Sequence, residues 1–519
     1  MSFTAPTINW AGLTPVIIIL GAGVLGVLIE AFVPRRARHG VQTVLSLLAV
    51  LGSGVALAAR WGVVRHDGAG TLSTGFAEDP FAVAAQGVLL VIGLLSLLVI
   101  ADRTSTGEGF FAAQPADRPG SAEETESLHA GWVSTEVFPL TLFSLAGMML
   151  FPVANDLISL FVMLELVSLP LYIMAATARH RRLLSQEAAL KYFLLGAFAS
   201  AFLLMGSAFL YGFSDAVDYA GIAKAVQTGG VSGMDWLALA GVALVTIGLL
   251  FKTAAAPFHA WSPDVYQGAP TPVTAFMAAG VKATAFLALV RFYYVVAGNL
   301  GWDLAPFLWT VAILTMVVGT FVGVVQGDVK RMLAYSAIAH AGYMLIGVIA
   351  FNGMGLRAIL FYALAYGVST VGAFAVVGLV RQSHDGAAGA EATDLDAWRG
   401  LGKRSPWLAG SMALFLLSFA GIPLTAGFIG KFELFIAGVQ GGASWLVVAA
   451  VISSMITAFF YMRLIVLMFF RDPEGGTVIV RSDGLITTAV ALSVILTIVL
   501  GVLPQVVLTA LSNAAMLVP

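Results

Sequence analysis

Residues 251–265 read FKTAAAPFHAWSPDV and close an apolar run that begins near residue 236. The run is long enough to cross a membrane, yet it ends in a lysine, a proline and a histidine. A charge is expensive in hydrocarbon and a proline breaks a helix. The stretch therefore reads as a broken span built around a buried charge.

Working outward, 59% of the 519 residues are hydrophobic, 10% are charged, and the mean hydropathy is +0.95. That much apolar surface does not fit inside a water-soluble core, so an all-α polytopic membrane protein is predicted. Runs of about 20 apolar residues, the length that crosses a ~30 Å hydrocarbon layer, recur along the chain. Fourteen are expected, at 13–33, 41–59, 80–100, 136–154, 156–177, 188–212, 236–256, 270–297, 304–326, 332–351, 357–380, 405–438, 444–470 and 485–505. The first has no basic region ahead of it, which favours a true span over a cleaved leader. The polar insert 101–135 reads as a solvated, partly disordered loop.

The formal net charge of −2 gives no attraction to nucleic acid. With no cysteine in the chain, disulfides, thiolate chemistry and cysteine-held iron–sulfur clusters or structural zinc are excluded. Any redox chemistry then belongs to a partner. GAGVLG at 21–26 has the letters of a dinucleotide motif but lies inside a span without a preceding strand, so it reads as close helix packing.

With an outward N-terminus, sixteen basic residues fall in inner loops: Arg35, Arg36, Arg38, Arg103, Arg118, Arg179, Arg181, Arg182, Lys330, Arg331, Arg381, Arg399, Lys403, Arg404, Arg471 and Arg481. Only Arg60, Arg65, Lys224 and Arg357 fall outside. The asymmetry predicts both termini on the periplasmic side.

A second interrupted run, LFLLSFAGIPLTAGFIGKFELF around Pro423, lies five spans after the first. A repeat of five spans is odd, so its second copy must run in the opposite direction, the inverted arrangement in which broken helices mark an ion site. The expected organisation is 1–135, three spans and a polar loop; 136–297 and 298–470, two inverted five-helix repeats with helices 7 and 12 broken; and 471–519, a last span.

Glu165, Lys191, Lys252, Lys282 and Lys431 fall within or at the edge of spans. At ~2.5–3.5 kcal/mol each near a helix centre, they imply a penalty of roughly 12–18 kcal/mol unless paired, hydrated or neutral. Such groups are functional candidates. Pairing with Glu165 is expected to make Lys252 hold its proton, and separation to release it towards Lys282. Lys191 is also placed to snorkel. His259 follows the Pro257 break on the inward route, and His340 is a candidate polar relay. Arg291 and Arg463 read as interface anchors.

FKTAAAPFHAWSPDVYQGAPTPVTAFMAAGVKATAF, GVVQGDVKRMLAYSAIAHAGYMLIG and RGLGKRSPW with FAGIPLTAGFIGKF resemble the antiporter-like subunits of bacterial proton-pumping NADH:quinone oxidoreductase, complex I, over residues 136–470. Within that family the resemblance is greatest to the N branch. It implies proton-transfer roles for Glu165 as the fifth-span glutamate, Lys252 in the broken helix, Lys282 at the centre, Lys431 as the exit lysine, and Lys191 as a further sixth-span lysine. It also implies no cofactor in this subunit, with NADH, FMN, iron–sulfur clusters and quinone in partner subunits of a plasma-membrane translocase. The M branch carries glutamate where Lys431 stands, and the L branch a long lateral helix after its last span. An Mrp-type cation/proton antiporter subunit and a passive spacer of the membrane arm remain alternatives.

Overall fold

The structure is a computed structural model that describes residues 8–67, 70–104, 109–230, 234–384, 387–473, 477–480 and 482–517. Arg481, counted above among the inner charges, lies outside them.

Three long helices come first: α1 (Trp10–Phe32), α2 (Arg35–Asp67) and, after the ribbon β1 (Gly70–Ser73) and β2 (Phe76–Glu78), α3 (Pro80–Ile100). A short helix α4 (Ala122–His129) precedes five spans. These are α5 (Val137–Leu150), α6 (Leu157–Ala175), α7 (Arg182–Ser214), then, past the short α8 (Tyr219–Thr228), the broken pair α9 (Asp235–Thr253) and α10 (Trp261–Gly268). The fifth is α11 (Thr271–Phe276), a π-helical turn at Met277–Val281 and α12 (Lys282–Val296). Five more follow: α13 (Gly301–Val324), α14 (Val329–Ile349), α15 (Gly353–Leu379), and, after strands β3 (Val380–His384) and β4 (Ala387–Glu391) and the turn of α16 (Leu401–Arg404), the broken pair α17 (Pro406–Ala420) and α18 (Ala426–Gln440), then α19 (Ser444–Phe470). Strand β5 (Thr477–Ile479) pairs with β3, and α20 (Leu485–Val502) and α21 (Gln505–Ala514) end the order.

Among the described residues twelve helices are long and apolar enough to span a membrane, and two shorter apolar stretches, Val137–Val153 and Pro406–Ala420, fall on the other two expected spans. Both five-span sets pack alike. The first span lies against the second and the fifth, and the third lies against the broken one.

Local chemistry fixes the helix starts. Asp79, Asp156, Asp328 and Asn352 cap α3, α6, α14 and α15, each side chain accepting from the amide three residues on, at 2.6–2.9 Å. Both breaks end their first half in the left-handed region, at Ala254 (φ 57°) and Gly421 (φ 82°).

The span Thr271–Val296 is buried except at Tyr294 and Val295 in its last turn, and α14 and α15 are nearly as buried. A helix apolar on every side belongs in a core. Helices α2, α7 and α19 instead keep one exposed apolar face. GAGVLG falls inside α1, where a Cβ on Gly23 would meet the Phe143 ring at 2.8 Å, so close packing is its role.

Two expectations need correction. The insert 101–135 is not a loose loop where it is described: Phe110 and Phe111 are buried, and the guanidinium of Arg182 donates to Gln114 O, Pro115 O, Asp117 O and Glu124 Oε1, pinning the segment to the start of α7. Arg291 is not an interface anchor. It is 1% exposed, and its Nη2 donates to Asp79 Oδ1 at 2.8 Å while Nε donates to Pro152 O at 2.7 Å.

Candidate functional site

Lys252 occupies the last turn of α9, where unpaired carbonyls favour a cation. Its ammonium lies among aromatic rings rather than beside a carboxylate. Nζ is 5.3 Å from the Tyr172 ring centre and 5.4 Å from that of Tyr192, and donates to Tyr172 Oη at 3.3 Å. Such contacts compensate a desolvated cation in part. The chain beyond the break closes this cage: the Trp261 ring stacks on Tyr192 at 4.8 Å, and its Nε1 donates at 2.9 Å to Phe251 O, which also accepts from Ala254 N at the helix end. Tyr172 fits only because residue 196 is glycine, since a Cβ there would sit 2.0 Å from the phenol oxygen.

Glu165 is half-buried on α6, on the stripe that also carries the exposed Ile158, Val162, Leu169 and Ile173. Its Oε1 accepts from Ser200 Oγ at 2.5 Å. The direct Glu165–Lys252 ion pair expected from the sequence is not formed, and the carboxylate acts on the lysine only through space. Tyr172, two turns after Glu165 on α6, stands where the carboxylate was expected.

Lys282 follows the π-helical turn, a local loosening of the backbone common at functional positions. Its Nζ donates to Ala337 O of α14 and lies 5.7 Å from the Tyr366 ring. One turn further along α14, His340 holds Tyr362 Oη at Nδ1 and Tyr461 Oη, 3.1 Å away, at Nε2. Tyr461 also bonds Ser336. His340 is within electrostatic reach of both Lys282 and Lys431. Lys431 donates to Phe419 O at 2.7 Å and Ala420 O at 3.1 Å, the free carbonyls that end α17, and to Ser454 Oγ at 2.7 Å. Its ammonium lies 4.9 Å from the Tyr343 ring, at the floor of a groove of about 300 Å³ that opens on the outside of the bundle.

The structure thus brings Lys252, Lys282, His340 and Lys431 into the buried interior, with Glu165 at one edge. It does not bring Lys191 or His259 to them. Lys191 is 42% exposed and pairs with Glu187 at 2.7 Å and Asp264 at 2.8 Å, while Arg331 holds the other Asp264 oxygen at 2.7 Å. Burial works to raise the Asp264 carboxyl, but these two cations outweigh it and hold it below the usual range. His259 is half-buried at the break, with Nδ1 buried and unbonded. Among the described residues no group of three or more histidines or carboxylates is placed to hold a metal ion.

The sequence reading missed Tyr172, Tyr192, Tyr343, Tyr362, Tyr366 and Tyr461. A signal was present, because several of these sit inside spans, whereas tyrosine in membrane helices favours the interfacial belts.

A fold of two five-helix sets with broken seventh and twelfth spans, and lysines beside both breaks, defines an antiporter-like membrane subunit. The family described as "NADH:quinone oxidoreductase/Mrp antiporter, TM" matches residues 154–457. Among curated relatives, NADH-quinone oxidoreductase subunit N of Beutenbergia cavernae is 54% identical, covering 99% of each chain, and that of Mycobacteroides abscessus is 49% identical, covering 98% of each. A chain of respiratory complex I from Thermus thermophilus superposes with a TM-score of 0.76 at 32% identity, covering 96% of this chain and 99% of its own. A chain of the Mrp complex from Dietzia has a TM-score of 0.79 at 20% identity, covering 98% and 97%, a likeness of fold. The chain belongs to the antiporter-like membrane subunits of NADH:quinone oxidoreductase, on the subunit N branch, and is thus a membrane subunit of a larger complex.

Proposed function

We propose that the chain moves protons through the membrane along Glu165, Lys252, Lys282, His340 and Lys431, driven by quinone reduction elsewhere in the complex. The observation that carries this reading is how the three lysines are held. Each ammonium faces a tyrosine ring, and carbonyls or hydroxyls take its hydrogen bonds. A lysine locked to a carboxylate keeps its proton, whereas one solvated by dipoles passes it on at lower cost. Tyr172 Oη then mediates between Glu165 and Lys252, and His340 with its phenols joins Lys282 to Lys431.

In this reading the two repeats, 136–297 and 298–470, each supply one broken helix, and both termini face the periplasm across a bacterial plasma membrane. Lys191, with Asp264 and Arg331, and His259 act at the margins of the route. The subunit carries no redox group, and NADH, FMN, iron–sulfur clusters and quinone are bound by partners.

The test is NADH-driven proton uptake by membrane vesicles, normalised to assembled complex by an NADH dehydrogenase stain. Lys252→Ala and Lys282→Ala are expected to assemble and to lose most uptake. Wild-type uptake in either one overturns the proposed route. Sodium-driven exchange without NADH would instead favour the antiporter reading.

A further inference from the structure

Lys330 was counted above with the inner loop charges, but it is not in a loop. It occupies the first turn of α14, is 2% exposed, and donates to Ala269 O at 2.8 Å and Thr271 Oγ1 at 3.4 Å. Thr271 is itself buried and donates to Glu391 Oε1 at 3.0 Å. Glu391 is half-buried on strand β4, outside the spans. Thus a hydrogen-bonded series of three groups runs from a partly exposed carboxylate to a buried amine.

A cavity of about 10 Å³, room for about one water, adjoins the series and is lined by Arg181, Gln267, Lys330, Glu391 and Thr393 among others. Arg181 steadies the strand from outside, donating to Thr393 Oγ1 at 3.1 Å and Glu391 O at 3.3 Å. The charges acting on Lys330 are Glu391 and Asp328 on the acidic side and Arg181 and Arg381 on the basic side. Burial works to raise the Glu391 carboxyl, but Arg381 and Lys330 outweigh it and hold it at about 2, so Glu391 is a fixed anion at the mouth.

Lys330 also stands in line with the centre. Ala337, whose carbonyl holds Lys282, lies seven residues along α14, two turns and about 10 Å on the same face. The start and the middle of the span 271–296 therefore both meet α14 through a lysine. About three hydrogen-bonded waters cover that distance.

We infer that Lys330, Thr271 and Glu391 form the proton intake of the inner face and feed Lys282. The inference rests on the proposed function and adds its starting point. An O–H bond of hydronium in the cavity breaks as an N–H bond forms on the neutral Lys330 amine. On the inward side an N–H bond of Lys330 breaks as one forms on Lys282 through the intervening water. Glu391 draws the cation in, and the Thr271 hydroxyl orients the amine.

The test separates relay from scaffold. Lys330→Arg keeps charge and donors but does not give up its proton at working pH. Thr271→Ser keeps the hydroxyl, and Thr271→Val removes it at equal size. All are measured in the assembled complex as proton uptake per NADH oxidised, beside Lys282→Ala. Lys330→Arg and Thr271→Val should assemble normally and lose as much uptake as Lys282→Ala, with Thr271→Ser close to wild type. Wild-type uptake in Lys330→Arg or Thr271→Val while Lys282→Ala has lost it overturns the inference and leaves the proposed function standing. Wild-type uptake in Lys282→Ala overturns the proposed function itself. Failure of both Lys330→Arg and Thr271→Val to assemble assigns the cluster to holding the β3–β4 hairpin and also overturns the inference.

Discussion

Arg291 and Asp79 form the buried contact on which a perturbation can be worked through in numbers. The pair is 1% and 0% exposed at 2.8 Å, and it joins α12 to the start of α3. Asp79 has a second task, since its Oδ1 also accepts from Ala82 N at 2.7 Å as the cap of α3. Removing one partner of a buried pair strands the other charge, at about 3–5 kcal/mol. Loss of a cap adds about 1 kcal/mol. Asp79→Ala should therefore cost about 4–6 kcal/mol, close to the ~5–15 kcal/mol net stability of an ordinary domain. Asp79→Asn keeps the capping oxygen and should cost about 3–5 kcal/mol. The double change Asp79→Asn with Arg291→Met removes both charges at similar volume and should recover at least about 2 kcal/mol of that loss. Because large membrane assemblies unfold irreversibly, the quantity to follow is the rate at which assembled complex disappears from membranes held at one elevated temperature, read on native gels. A 2 kcal/mol recovery is about a thirtyfold slower loss if it falls on the unfolding barrier. Should Asp79→Asn alone last as long as wild type, the pair does not hold the N-terminal spans to the rest.

Gly196→Ala places a methyl 2.0 Å from Tyr172 Oη and must displace that ring, so it should depress proton uptake while Tyr172→Phe with Gly196→Ala fares better than Gly196→Ala alone, measured in the same vesicles. Asp102 accepts from Ser482 Oγ and Ile486 N, and burial pushes its carboxyl up to about 6. A raised folded-state value favours the protonated form, so this contribution is full below about 4 and is lost as pH rises through 6, at up to about 3 kcal/mol. Asp102→Asn should outlast wild type in the heating assay at pH 8 and lose that advantage at pH 4. For topology, single cysteines introduced near 390 and 510 should react with an impermeant thiol reagent only at 510 in spheroplasts, and the reverse pattern inverts the orientation.

The spans and both breaks were legible because bilayer thickness and helix geometry write themselves into one continuous stretch of sequence. Partners were not, because they come from far along the chain. Lys252 meets Tyr172 across 80 residues, and Arg291 meets Asp79 across 212. Counting basic residues in loops treated Lys330, Arg182 and Arg381 as solvent-facing charges, whereas all three are buried in networks at or beside the ends of the helices. Buried lysines suggested a carboxylate partner from the cost of charge alone. That cost is met by whatever dipoles the fold supplies, and although mid-span tyrosines were a visible signal, no local pattern says which lysine each will face or which free helix-end carbonyl will hold it.

The span Thr271–Val296 has 26 residues, about 39 Å if fully helical against a hydrocarbon layer of about 30 Å. A lipid-facing helix of that length would tilt or deform the bilayer to hide its excess, and its angle would follow membrane thickness. This one is buried on every side up to its last turn, so lipid has little purchase on it. The depth of Lys282, eleven residues and roughly 16 Å along the span, is set by the protein helices packed around it, α3, α9, α14 and α15 among them. Thinner or thicker bilayers will strain the outer helices α2, α7 and α19 and leave the central lysine at the same height in the protein.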